Sequence, residues 1–99
     1  MMTTLKEFLL SEEEKLAMYT GAIAKVHSRL HPEVHEVKAL YEDILSEVKQ
    51  DEKSAGLGKA FDRLVELTNN FEIPADTCET FAAVYQDLAT ADQLYRAEH

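Results

Sequence analysis

Apolar residues recur along this chain at spacings of three and four, with polar residues between them. That rhythm marks one face of an α-helix, which turns once in about 3.6 residues. Four such stretches occur. The first predicts a helix over 4–30, opening at Thr3 or Thr4 and carried by Leu16, Tyr19, Ile23, Val26 and Leu30. Within it, Ser11 followed by Glu14 reads as a capping box, which predicts a bend or restart at that point. Pro32 ends the stretch, because its ring disfavours a helical residue before it and its missing N–H suits a first turn.

The second helix, over 32–50, carries Val34, Val37, Tyr41, Ile44 and Val48, flanked by Leu40 and Leu45. "QDEKSAGLG" is a polar break with two glycines and reads as a turn. The third helix, over 56–70, carries Leu57, Phe61, Leu64 and Thr68, with Ala60 and Leu67 beside them. Asn69, Asn70 and Pro74 close it. Asp76 reads as the N-cap of the fourth helix, over 76–98, with Glu79 three residues on. That helix carries Phe81, Val84, Tyr85, Leu88, Ala91 and Tyr95. An amphipathic helix cannot bury its stripe alone, and short turns place neighbours antiparallel. The pattern therefore predicts an all-α, up-down-up-down four-helix bundle in a single domain over 1–99.

Composition narrows the function. The 99 residues suffice for one domain with a modest core. A formal net charge of −9, with no cluster of Lys or Arg, excludes a nucleic-acid partner and attraction to an anionic membrane. No stretch approaches the roughly 20 apolar residues of a membrane span. No basic start followed by an apolar run marks a signal peptide, so a cytoplasmic location is expected. No Gly-rich phosphate loop, Gly-x-Ser-x-Gly elbow or Cys/His nucleophile pair is present, so the expectation is not an enzyme. Cys78 is the one cysteine, placed on an apolar helix face among acidic neighbours. It reads as a buried structural thiol.

"KVHSRLHPEVHEV" places His27, His31 and His35 one helical turn apart. On an unbroken helix they would share a face and could hold zinc or nickel. Pro32 breaks that helix, so residues at a helix corner are favoured over a three-histidine site. His31 falls in the corner, His35 points outward, and His27 is half-buried beside Val26. The signs of a di-iron carboxylate bundle, Glu-x-x-His or His-x-x-x-Glu, do not occur. The helix stripes are almost wholly apolar, with Asp92 the main polar intruder.

Two longer phrases carry a resemblance. "KVHSRLHPEVHEVKALYEDI" and "LVELTNNFEIPADTCETFAAVYQDL" resemble, in order, segments of the iron–sulfur cluster repair di-iron proteins, which contain a hemerythrin-like bundle. The resemblance covers roughly Ile23–Ile44 and Gly56–Leu88, and Thr68-Asn69-Asn70 with Pro74, Asp76, Cys78 and Tyr85 is its most specific part. It implies a bundle holding two bridged irons through histidines and glutamates of all four helices. It also implies a role in repairing clusters after oxidative or nitrosative damage.

Matched residue by residue, the ligand set is thin. His27 matches a ligand at the end of the first helix. The position near Lys6 lacks the expected histidine, and the ligand segment after the second helix has no counterpart. In "DEKSAG", Glu52 stands where a ligand histidine is expected. In "DQLYRAEH", Glu98 falls near another, with His99 beside it. His27, Glu52, Glu98 and His99 are thus the candidate metal residues, for one iron or zinc ion.

The expectation favoured over this is a degenerate, metal-free relative with no cofactor, acting as a non-enzymatic interaction or regulatory protein. Its partners would be a second copy of itself or another protein. The short link between the second and third helices also permits two chains to exchange helices, which makes a homodimer an expectation. The alternative is a metal-binding protein of cluster repair or of oxygen or nitric oxide sensing.

Overall fold

The chain enters its first helix through a reciprocal cap. Thr4 Oγ1 accepts from the N–H of Glu7 at 3.1 Å, and the Glu7 carboxylate accepts from the N–H of Thr4 at 3.3 Å. In this computed structural model, residues 3–50 and 57–98 are described. Their helices are α1 Leu5–Ser11, α2 Glu13–Val26, α3 Glu33–Gln50, α4 Gly58–Thr68 and α5 Glu79–Glu98. No strand occurs among the described residues, and no helix there is long and apolar enough to cross a membrane.

The expected bend in the first helix is present, with a different cause. Ser11 does not cap the next helix. Its hydroxyl donates instead to the carbonyl of Phe8 at 2.7 Å, a back-bond that competes with the helix ladder. Glu12 then leaves helical geometry and serves as N-cap of α2 without a capping hydrogen bond from its side chain. Lys15 braces this break, with its ammonium 3.0 Å from Glu12 and 2.9 Å from Asp87 of α5. The ammonium holds the Glu12 carboxyl below its usual range, while burial pushes that of Asp87 up.

Ion pairs and ring contacts fix how the helices run. Glu13 at the start of α2 meets Lys49 at the end of α3 at 2.7 Å, and the corner at 27–32 joins their other ends. Lys15 meets Asp87 near the middle of α5, whereas His27 meets Phe81 near its start. Phe61 of α4 stacks on Tyr95, near the end of α5, with centroids 4.9 Å apart. Gly58 lets α4 approach there, since a Cβ at that position would lie 3.3 Å from the Tyr95 hydroxyl. Thus α2 is antiparallel to α3 and α5, and the start of α4 meets the end of α5. Arg63 bridges α4 to Glu36 of α3 at 2.6 Å.

The stripes expected of the last three helices are buried. Val34, Val37, Tyr41, Ile44 and Val48 of α3 meet Leu57, Phe61 and Leu64, and Phe81, Val84, Tyr85, Leu88, Ala91 and Tyr95 of α5. The first stripe differs. Leu16 and Ile23 are buried and Tyr19 partly so, but Val26 is 68% exposed and Leu30 72%. The helix ends at Val26, so Leu30 lies outside its periodicity, and Thr20 and Ala24 complete the inner face. Asp92 is no intruder in the core: it lies at the rim, 3.2 Å from Arg96.

Candidate functional site

Chemistry-bearing side chains gather at one end of the bundle, where the 27–32 corner meets the 69–78 connection. His31 is held there by carboxylates. Its Nε2 lies 3.1 Å from Oδ1 of Asp76, and its Nδ1 lies 3.5 Å from Oε1 of Glu33. Asp76 therefore serves the corner histidine and does not cap α5, which begins at Glu79. The N–H of Ala82 reaches the carbonyl of Cys78 at 3.0 Å. Phe81 lies beneath both histidines, with His27 edge-on at 5.3 Å and His31 at 5.5 Å. His35 is exposed, as its place beside Val34 suggests. The three histidines do not converge.

Cys78 is exposed, contrary to its reading as a buried thiol. The helix starts later than Asp76 suggests, so Cys78 precedes the buried stripe. Its Sγ lies 3.3 Å from Nε2 of His27. The fold thus creates a Cys/His pair that no local spacing in the sequence displays. A mostly apolar hollow of about 120 Å³ adjoins it, lined by Ala22, Ile23, Val26, His27, Cys78 and Thr80.

A second hollow, of about 240 Å³, lies among Glu33, Thr68, Asn69, Glu72 and Tyr85. Burial, with the Glu33 charge nearby, pushes the Tyr85 phenol up to about 12. One wall is an unusual turn. Asn69, Asn70 and Phe71 have φ of 52°, 61° and 61°, three successive left-handed residues without a glycine. Hydrogen bonds hold them: the N–H of Asn70 reaches the carbonyl of Val65 at 2.8 Å, and that of Phe71 reaches Oγ1 of Thr68 at 2.8 Å.

The candidate metal residues are spread out. His27 lies at the corner end. Glu98 lies at the far end of α5, about 30 Å away along a 20-residue helix. Its Oε2 accepts from the N–H of Leu5 at 2.9 Å, capping an otherwise unpaired donor of α1. Glu52 and His99 lie outside the described residues. Among the described residues, no group of three or more His, Cys, Asp or Glu side chains is placed to hold a metal ion.

A bridged di-iron centre needs histidines and glutamates projecting inward from facing helices. The described interior does not fit it. Apart from tyrosines, its buried polar side chains are Thr20 and Thr68, which donate to Leu16 at 2.7 Å and Leu64 at 2.6 Å on their own helices. No family model matches this sequence, and no solved structure matches it.

Proposed function

We propose that the chain is a hemerythrin-like, up-down-up-down bundle, related to the iron–sulfur cluster repair proteins, that works without a di-iron centre. It acts as a non-enzymatic interaction or regulatory protein, through self-association or docking onto a protein partner. The observation that carries this reading is the placement of donors. His27 and Glu98 sit at opposite ends of α5, and Glu98 is engaged in capping α1. Hydrocarbon from Leu16, Ile44, Phe61 and Leu88 occupies the interior between them.

One observation favours the alternative of a metal-binding protein in cluster repair or in oxygen or nitric oxide sensing. The imidazole of His27 and the sulfur of Cys78 are donor types that suit zinc or iron, and they lie 3.3 Å apart. Elemental analysis of untagged protein, with its mass in solution, tests the two. A metal-free species supports the interaction reading. Stoichiometric iron or zinc that is lost on His27→Ala supports the alternative.

A further inference from the structure

The outward face of α2 has no partner among the described residues. Met18 is 68% exposed and stands on it, one turn from Ala22 and two turns from Val26, which is also 68% exposed. Glu14 lies at one end of this face. Arg29 lies just beyond the other, with Lys25 between, and all three are exposed. The face is therefore acidic at its start, apolar in its middle and basic at its end.

Gly21 sits in the middle of this helix. A glycine weakens a helix interior relative to alanine. Its φ is not positive, and a Cβ there would meet nothing within 4 Å. Nothing among the described residues requires a glycine at this position. A second backbone approaching from outside would.

We infer that two copies of this chain pair through α2, antiparallel about a two-fold axis at Gly21 and Ala22, with Met18 of each copy seated against Val26 of the other. The inference rests on the interaction reading above and names its partner. Three features support this pairing. Gly21 allows close approach there. Met18 and Val26 lie four residues either side of Ala22. Glu14 lies at the start of α2 and Lys25 and Arg29 at or just past its end, so an antiparallel two-fold brings the acidic end of each copy to the basic end of the other. The interface is isologous, and each unmatched feature of one chain is met by the same surface of the other. The hollow beside Val26, about 120 Å³ and lined by Ala22, Ile23, Val26, His27, Cys78 and Thr80, receives the flexible Met18 side chain. Opposed charges at both ends set the antiparallel register and disfavour the parallel one.

Sedimentation of the full chain over a concentration series tests this, with Glu14→Arg, Arg29→Glu, their combination, and Gly21→Leu. The wild type is expected to dimerise. Either single reversal should weaken dimerisation at least about tenfold, the loss of about 1.4 kcal/mol expected for turning an attractive pair repulsive. The double reversal should restore it, and Gly21→Leu should abolish it while circular dichroism shows the helices intact. A monomer at all concentrations overturns the inference, as does a dimer indifferent to these substitutions. Neither outcome decides the metal question, which elemental analysis settles separately.

Discussion

The Nε2 atom of His27 lies 3.3 Å from the Sγ atom of Cys78, across 51 positions of sequence. This contact joins the end of α2 to the entry of α5, and Phe81 backs it with an edge-on ring 5.3 Å from the imidazole. His27→Ala removes both contacts and should destabilise the fold by about 1 kcal/mol, read as a lower urea midpoint. Because Cys78 is exposed, its thiol should react fully with an aromatic disulfide reagent in native buffer. A thiol silent until denaturant is added would contradict this placement.

Tyr41 is 1% exposed, and its hydroxyl has no hydrogen-bond partner among the described residues. A buried polar group left unsatisfied costs about 1–3 kcal/mol. Tyr41→Phe keeps the ring and removes that cost. Its expected effect is a gain of about 1 kcal/mol in urea unfolding, and a loss of stability would mean that the hydroxyl is engaged.

Alkali should reveal two tyrosines. Burial is the first cause that pushes both Tyr41 and Tyr85 up to about 12, aided by Glu13 and Glu42 for the one and Glu33 for the other. A phenol raised in the folded state gives stability that is fully present below its unfolded value, about 10, and lost as pH rises through about 12. The chain should therefore hold its stability up to about pH 10 and lose it above, with these two phenols ionising last or together with unfolding. Tyrosinate absorbance, followed alongside circular dichroism, checks the order.

The left-handed turn should be selective about what it accepts. Asn70 has φ 61° and is exposed, so substitutions there report on backbone conformation alone. Asn70→Val should cost roughly 1–2 kcal/mol, since a β-branched side chain is disfavoured in that region. Asn70→Gly should be neutral or stabilising. Thermal unfolding of the pair separates them, and equal midpoints would count against the turn.

Periodicity alone revealed most of the interior. The stripes from Val34 to Val48, Leu57 to Thr68 and Phe81 to Tyr95 are buried as their spacing indicates. The first stripe misleads because Val26 and Leu30 extend an apolar rhythm past the point where the helix stops. Exposed apolar residues at helical spacing look the same in sequence as buried ones. Capping signals were ambiguous for a similar reason: Ser11 and Asp76 are the right residue types for caps, but Phe8 and His31 offer them other partners.

The site was less legible. His27 and Cys78 belong to different helices, and only an antiparallel arrangement brings the end of one to the start of the other. That same arrangement separates His27 from Glu98, although a resemblance read along the chain places both in one ligand set. Gly21 and Met18 carried no signal by themselves. Their meaning comes from what surrounds them in the fold, which is open space on the outer side of α2.

We propose that the space between the helices is filled with hydrocarbon and holds no pair of irons. Untagged protein, incubated anaerobically with ferrous iron, desalted and analysed for metal, tests it most directly. Iron well below one equivalent per chain is the predicted result. About two irons per chain, with the absorption of an oxo-bridged pair after exposure to air, would contradict it.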